Sequence, residues 1–433
     1  MSSRVGAGKA GAPSTIDAGL QAHVDAQLME QGAFAPLEYL IDSGRLVYAD
    51  YESWRRREIE SLDEVLMGSR DNILAEIAQA ASYARAIGLV EQTQEFHSWS
   101  GQATLLRAST DREVHRLLAA RYVPAQAAPQ MDLFFDNPVV ALTNGVARAL
   151  AARNLGKAQQ QLDQLYAQAP NHSDLASFDR LLAALAHLHE PIADAQTEID
   201  FLLDITPAAK RLLGADARDL LSPLWRQLGD ALKGRAFSPD APNLHESFAF
   251  SQALDWPAVS ACVLSEPAWA EHSTLCMRLA QSSFYRRRRV EALMAWSHLC
   301  WRAPKQAAEA LDSRHQADSE IAGLWQRFCD LEEEDGAGNM NAGEAEVTLT
   351  AADFPAFLLL REPTLGDSLG ADLPTRDTPG EENYRCVHRW NQARRAGQRD
   401  EEIELRKTLQ AGQPRLFGYL KSIAANEGRY SGR

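Results

Sequence analysis

The residues best placed for metal chemistry are histidines and cysteines at short spacing. His272 and Cys276 lie four residues apart, which places both on one face of a predicted helix, and His298 and Cys300 follow on the next helix. A zinc site needs four converging ligands. Because residues two apart on a helix point in different directions, His298 and Cys300 cannot both ligate. The spacing predicts core imidazoles and buried thiols, and we expect no metal and no other cofactor.

Three short motifs resemble catalytic or ion-binding loops but lack essential residues. Gly6-Ala7-Gly8-Lys9 has neither the first glycine nor the final Ser/Thr of a phosphate loop. Ser98 and Ser100 lack the flanking glycines of a nucleophile elbow. The acidic run from Asp330 lacks the glycine and the final glutamate of a calcium loop. No catalytic constellation is evident, which favours a binding protein. An enzyme stays open, since catalytic residues are usually distant in sequence.

The densest positive charge is the run Arg286, Arg287, Arg288 and Arg289, directly after Phe284-Tyr285. An arginine guanidinium can bind both oxygens of a carboxylate at once. We therefore predict that these four residues form an anchor for an acidic partner segment, with at least two of them facing solvent. Two alternatives are a solvated, partly ion-paired helix start and a surface for single-stranded nucleic acid. The run Arg55–Arg57 is interpreted as a solvated helix face.

Charge and composition limit the classes of partner. The chain of 433 residues carries 44 basic and 59 acidic residues, a net charge of −15. Nucleic acids and anionic membranes attract basic surfaces, so we expect neither as a partner.

Met1 to Thr15 lacks the apolar core of a signal peptide, and no apolar stretch nears the ~20 residues that span a bilayer. Five cysteines without a C-x-x-C motif suit a reducing compartment, and we predict a cytoplasmic protein.

Helical periodicity runs through most of the chain and predicts an all-α fold. Apolar residues from Tyr51 to Leu66 share one helical face, and further helices are predicted at 72–86 and 91–106. Only 346–350 has strand character, and 362–382 is predicted to be irregular. The expected organisation is a disordered tail 1–14, an N-terminal helical domain 15–122, helical repeat regions 137–233 and 246–330, an acidic Gly/Pro-rich irregular segment 331–381, and C-terminal helices 382–433.

Two segments resemble the second helix of a tetratricopeptide repeat, in which a small residue stands twelve before a closing proline. The pairs are Ala158 with Pro170 and Ala292 with Pro304; a third segment has Glu402 before Pro414 and departs from the small residue. The resemblance covers about one repeat length in each place. It implies antiparallel helix pairs stacked as a tetratricopeptide-like α-solenoid with irregular linkers. The alternative is an irregular helical globule.

Stacked helix pairs present a broad concave surface that commonly takes a peptide or another protein. By this fold-level analogy we expect a non-catalytic interaction or adaptor protein. A helical enzyme, or the accessory subunit of an enzyme complex, is the alternative. It would show one deep pocket with converging titratable groups and shifted pKa values.

Overall fold

A computed structural model describes residues 18–99, 104–124, 138–188, 190–313, 318–334, 348–369 and 378–430. This part of the chain holds twenty-one α-helices and four short strands, which confirms the mostly helical class. The predicted tail 1–14, with its Gly6–Lys9 motif, lies outside the described residues, as do Ser100 and the acidic run beyond Glu334. No helix of the described ranges combines the length and the apolar character that crossing a membrane requires.

Contacts within the described residues divide the chain into two compact units. The first unit takes in the chain up to His187 together with Leu203–Leu221. The second takes in Leu188–Leu202 and the chain from Ser222 onward. Two helices, α9 (Ala195–Leu213) and α10 (Ala217–Ala231), contribute residues to both units.

The first unit combines helices with two small antiparallel sheets. Strand β1 pairs with β4, with Leu89 opposite Pro124, and β2 pairs with β3. Its elements before α9 are α1 (Ala18–Gln31), α2 (Pro36–Asp42), α3 (Tyr48–Arg55), α4 (Arg70–Ala86), β1 (Leu89–Thr93), β2 (Phe96–His97), β3 (Leu105–Leu106), α5 (Arg112–Leu118), β4 (Ala120–Pro124), α6 (Pro138–Ala151), α7 (Leu155–Gln168) and α8 (Leu175–Ala186).

The predicted long helix from Tyr51 to Leu66 is wrong beyond Arg55. Helix α3 ends there because Arg57 takes a left-handed conformation, φ +65°, and the Glu58 amide turns back to the Ser53 carbonyl oxygen at 2.8 Å. Leu62 is fully buried although it does not lie in a helix. An apolar residue at helical spacing thus reaches the core from an irregular segment, and periodicity cannot distinguish the two cases.

The predicted helix 91–106 is also wrong. Residues Leu89–Thr93 pair along their whole length with Ala120–Pro124, and Phe96 and His97 pair with Leu106 and Leu105. Gly88, at φ +88°, ends the preceding helix and frees the chain to turn. Strand pairing with a segment some thirty residues away overrides a weak local preference for helix.

The second unit is helical throughout its described part after α10. Its elements are α11 (Glu246–Gln252), α12 (Trp256–Ser265), α13 (Ser273–Tyr285), α14 (Arg289–Arg302), α15 (Pro304–Leu311), α16 (Ser319–Glu334), α17 (Phe354–Arg361), α18 (Leu365–Leu369), α19 (Pro379–Ala396), α20 (Arg399–Gly412) and α21 (Pro414–Tyr430). The aromatic rings of Trp325, Phe328, Phe354 and Phe357 pack within 5.3–6.1 Å of one another where α16 meets α17.

Two predictions for this region are corrected. The described part of 346–350, residues 348–350, forms no strand. The predicted irregular segment 362–382 contains α18 and the start of α19, and α17 lies within 331–381. Thr350 and Asp353 form a capping box ahead of α17, each side chain bonding the other's backbone amide. That local signal marks the start of a helix which the Pro and Asp content had obscured.

Four pairs of neighbouring helices share one type of turn. The turn residue is left-handed in each: Arg153 between α6 and α7, Leu254 between α11 and α12, Arg287 between α13 and α14, and Gly397 between α19 and α20, with φ of +55° to +70°. In every case its amide bonds the carbonyl three residues back, and the next amide bonds the carbonyl five residues back. The same turn therefore recurs with four different sequences.

The helices α7, α14 and α20 share a length of fourteen residues. Each ends at a non-helical residue whose amide bonds the carbonyl four residues back, and a proline follows that residue at once in all three. The three positions noted in sequence, Ala158, Ala292 and Glu402, are each the fourth residue of their helix. Ala158 and Ala292 are buried.

Candidate functional site

Helix α3 places an arginine on a buried aromatic face. Tyr48, Tyr51 and Arg55 follow at helical spacing, and the two tyrosine rings stack at 5.7 Å. The Arg55 side chain is only 13% exposed. Its guanidinium is held by hydrogen bonds that it donates to the Tyr51 hydroxyl and, at 3.0 Å, to the His97 carbonyl oxygen. This charge is fixed in place by neutral acceptors.

Asp219 lies in the first turn of α10 and meets this face of α3. The Tyr48 hydroxyl donates to Asp219 Oδ1 at 3.0 Å, and Arg55 Nη1 stands 3.8 Å from Oδ2. The separation from Arg55 exceeds that of a charge-assisted hydrogen bond, about 2.7–2.9 Å. The buried carboxyl is therefore only partly compensated.

Arg153, the left-handed residue between α6 and α7, reaches the same place. Its Nε donates to the Asp219 backbone carbonyl oxygen at 2.7 Å. Its Nη2 is buried and has no hydrogen-bond partner among the described residues. A buried charged donor without an acceptor carries a desolvation cost of roughly 1–3 kcal/mol or more. Arg153 Nη2 is therefore a buried donor whose hydrogen-bonding capacity the described residues leave unused.

The indole ring of Trp99 lies beside the guanidinium groups of both Arg55 and Arg153. Its backbone amide donates to the Arg55 carbonyl oxygen at 2.8 Å, which ties the loop after β2 to the end of α3. The ring centroid lies 4.6 Å from Arg55 Cζ and 5.2 Å from Arg153 Cζ, both within cation–π range. The aromatic ring thus contacts both positive charges.

These groups line a cavity of about 560 Å³ that lies wholly within the first unit. We name it the Trp99 pocket and define it by Trp99 and its six charged residues, Arg55, Arg148, Arg153, Glu95, Asp216 and Asp219. The volume falls within the usual range for small-ligand sites, about 300–1,000 Å³.

Two carboxyl groups of the Trp99 pocket have raised pKa values. Burial raises the pKa of Asp219 to about 7; the charge of Asp216 adds to the rise, and Arg55, Arg153 and the Tyr48 hydrogen bond oppose it. Burial likewise raises the pKa of Asp216, against the opposing charges of Arg55 and Arg121. The pocket therefore combines guanidinium donors with a carboxyl that changes protonation near neutral pH, and it can bind an anion or exchange a proton.

The predicted anchor Arg286–Arg289 lies in the turn between α13 and α14 and not within one helical turn. Arg286 bonds the Ser260 hydroxyl and Glu291, and Arg289 bridges Glu320 and Glu362 at 2.7 and 2.8 Å. Arg287 and Arg288 are the exposed members. Two of the four guanidinium groups thus already hold carboxylates of this chain.

Of the histidines and cysteines considered as metal ligands, His298, Cys276 and Cys300 are core residues of the second unit, and His272 is half-buried. His298 packs its ring edge-on to Trp269 and Trp301, and burial lowers its pKa to about 4. Cys276 and Cys300 are fully buried. Within the described ranges, no three His, Cys, Asp or Glu residues are grouped so that they could hold a metal ion.

A histidine–serine contact outside the Trp99 pocket is structural. His245 Nδ1 lies 2.8 Å from the Ser247 hydroxyl, which also accepts from Arg278 at 2.9 Å. His245 also caps α11 by accepting from the Ser247 amide. Both residues are buried, with exposures of 2% and 0%, so this pair cannot act on a substrate as it stands.

Sequence reasoning missed the Trp99 pocket. The interpretation of Arg55, Arg56 and Arg57 as one solvated run is wrong for Arg55, whose side chain is only 13% exposed, whereas the other two residues are exposed. One signal was available: Arg55 is four residues from Tyr51 and seven from Tyr48, on an aromatic face where a solvated charge is out of place. No comparable signal joins Arg153 to Asp219 along the sequence.

Comparison of the chain with protein-family models, with curated proteins and with solved structures finds no match. The fold and the Trp99 pocket are therefore the grounds for assigning a function.

Proposed function

We propose that this is a non-catalytic interaction protein that binds a carboxylate of a partner protein or peptide in the Trp99 pocket. The observation that carries the proposal is the buried Arg153 Nη2, which lacks an acceptor beside a cavity of ligand size. A carboxylate accepts from a guanidinium in bidentate geometry, and the Arg55 guanidinium contacts the same indole ring as that of Arg153.

The recurrent left-handed turn and the three fourteen-residue helices support a tetratricopeptide-like architecture in which helix pairs stack as an α-solenoid. In that architecture the partner is a peptide or a folded protein with an acidic segment. Arg287 and Arg288 of the second unit are proposed as a further anchor for such a segment. All five cysteines lie in described ranges and none forms a disulfide, which supports a cytoplasmic location.

Capture of partners with and without the pocket donor tests this function. The tagged chain, its Arg153→Gln variant and an Arg180→Gln control are used to capture proteins from the native cell. Arg180 lies in the same unit, pairs with Asp204 and is 49% exposed. We expect a partner that the first and third chains enrich, that Arg153→Gln loses, and that glutarate releases from the resin.

Two outcomes contradict the proposal. Identical partners for all three chains would show that the Trp99 pocket binds none of them. Enrichment of no partner by any chain would exclude the interaction function. Circular dichroism and the melting temperature of Arg153→Gln establish that the variant is folded, so that a lost partner reports on binding.

A helical enzyme is the second candidate, and the raised pKa of Asp219 favours it. A carboxyl that titrates near neutral pH inside a pocket can serve as a general acid or base. This candidate is tested by incubating the protein with glutarate and with peptides cut from the acidic segments of the captured partner, and recording the nuclear magnetic resonance spectrum of each. Slow conversion that stops in Asp219→Asn supports an enzyme, and an unchanged ligand contradicts it.

A further inference from the structure

We infer that a carboxylate enters the Trp99 pocket together with one proton, which Asp219 takes up. The inference rests on the proposed function and adds a regulation to it: the affinity for the partner is set by pH in the neutral range. The geometry that carries it is a buried carboxyl next to the unpartnered Arg153 donor, in a pocket whose charges nearly cancel.

Asp219 is placed so that a bound carboxylate would stand close to it. Arg153 Nε donates to the Asp219 backbone carbonyl oxygen, and Nη2 of the same guanidinium has no partner among the described residues. A ligand oxygen that accepts from Nη2 would therefore lie next to this hydrogen bond. Arg55, the nearest cation to the Asp219 side chain, stands at 3.8 Å and is engaged with two other acceptors. An ionised ligand carboxylate bound to Nη2 would repel an ionised Asp219, and protonation of one of the two carboxyls removes that repulsion.

The charges that line the Trp99 pocket also favour the uptake of a proton when a carboxylate binds. Its described lining carries three guanidinium groups and three carboxyl groups, whose charges sum to zero when every carboxyl is ionised. Protonation of one carboxyl leaves a single positive charge, which an incoming anion neutralises. The neutral pocket offers no such attraction.

The surroundings of Asp219 identify it as the carboxyl that takes the proton. It is 4% exposed, whereas Asp216 is half-buried and Glu95 is exposed. The charged and titratable groups that act on Asp219 are Tyr48, Tyr51 and Arg55 on α3, Arg153 after α6, and Asp216 ahead of α10. Around them, Arg148, Glu95 and His97 line the same pocket, Glu52 acts on Tyr48, and Arg121 on β4 acts on Asp216.

Burial raises the pKa of Asp219 to about 7 before any ligand is present. A ligand carboxylate raises it further, since a like charge disfavours ionisation. Between the pKa of the free protein and that of the complex, binding takes up a proton and the affinity falls with rising pH. When binding is coupled to the uptake of one proton, the affinity can fall by at most about tenfold per pH unit.

The experiment is calorimetric titration of the full chain at about pH 6, 7 and 8, with three probes that separate the sources of a carboxylate. The first is glutarate, a free dicarboxylate. The second is a short peptide with one glutamate and both ends blocked. The third is a blocked-amino alanine peptide with a free carboxyl end. Cationic buffers of different ionisation enthalpy, Bis-Tris and imidazole, report the protons taken up on binding.

We expect at least one probe to bind, with similar affinity at about pH 6 and 7 and a several-fold weaker affinity at about pH 8, approaching tenfold, accompanied by proton uptake. Asp219→Asn, which still accepts from the Tyr48 hydroxyl, should bind equally at all three pH values. Asp216→Asn removes the same charge from the same lining and should keep the dependence on pH.

Each alternative outcome overturns a definite statement. If no probe binds at any pH, the carboxylate pocket and the proposed function both fail. If a probe binds with constant affinity and no proton uptake, the function stands and the proton coupling is refuted. If Asp219→Asn keeps the fall in affinity and Asp216→Asn loses it, the proton belongs to Asp216 and the assignment to Asp219 is refuted.

Discussion

The Tyr48 hydroxyl donates a hydrogen bond to Asp219 Oδ1 at 3.0 Å across 171 positions of sequence. Both residues are buried, and the bond joins the aromatic face of α3 to the first turn of α10. It satisfies one oxygen of a carboxyl whose other oxygen lies 3.8 Å from Arg55 Nη1. A single long-range bond of this kind fixes where the charge of the Trp99 pocket lies.

Asp219 should make the stability of the protein depend on pH. Its pKa is about 7 in the folded state and near its ordinary value of 3.8 when unfolded, so between these values the folded state holds one more proton. The contribution to stability is full at low pH and is lost as pH rises towards 7, at about 1.4 kcal/mol per unit. Relative to the parent chain, Asp219→Asn should gain about 2 kcal/mol between pH 5 and 7.

Denaturant unfolding of both chains at the two pH values measures this difference. Asp71→Asn is the matched control, because the Asp71 side chain is 92% exposed in the same unit. Its curve should run parallel to that of the parent chain. A gain for Asp219→Asn that does not change with pH would contradict the buried, partly compensated carboxyl.

Trp296 should be a main support of the second unit. It lies on α14, is 2% exposed, and its helix packs against both α13 and α17. Trp296→Ala leaves a large cavity and should cost about 3–5 kcal/mol of unfolding free energy in urea. Val290→Ala, on the same helix and 39% exposed, should cost less than about 1 kcal/mol. Equal losses would show that Trp296 does not support the packing.

The recurrent turn should be sensitive to backbone conformation rather than to side-chain space. A Cβ added at Gly397 meets nothing within 4 Å, yet its φ is +70°. A Cβ added at Gly418 in α21 also meets nothing, and its backbone is helical. Gly397→Ala should therefore destabilise by about 1 kcal/mol, and Gly418→Ala should stabilise by about 0.5–1 kcal/mol. Melting temperatures that move in the same direction would refute the left-handed turn.

Arg287 and Arg288 are predicted to orient an acidic partner segment. The double change Arg287→Glu and Arg288→Glu should weaken binding of the captured partner at low salt, and less so at high salt, because exposed charges are screened. Arg399→Glu with Lys407→Glu changes the net charge equally on exposed positions of the same unit. Affinity is measured by surface plasmon resonance. Equal effects of the two double variants would show that Arg287 and Arg288 act only through the net charge of the protein.

Most helices, and several of their ends, follow from residue order alone. Asn154 before α7 and Asp255 before α12 cap their helices with side-chain oxygens, and Pro304 and Pro414 stand where α14 and α20 have just ended. These are local effects, because a cap or a proline acts on amides within a few residues. For the same reason α7 and α14 coincide with the two sequence segments in which a small residue stands twelve before a proline, Ala158 with Pro170 and Ala292 with Pro304.

The strands and the Trp99 pocket depend on contacts between distant segments. The segment 89–93 becomes a strand because 120–124 lies beside it, and Arg55 becomes a buried charge because the carbonyl of His97 and the ring of Trp99 come to it. Arg153 and Asp219 meet across 66 positions. Propensity and periodicity act over one or two turns of chain, whereas burial and hydrogen-bond satisfaction act on whatever the fold brings together. Helices could therefore be predicted from residue order, and the charged site arose from packing.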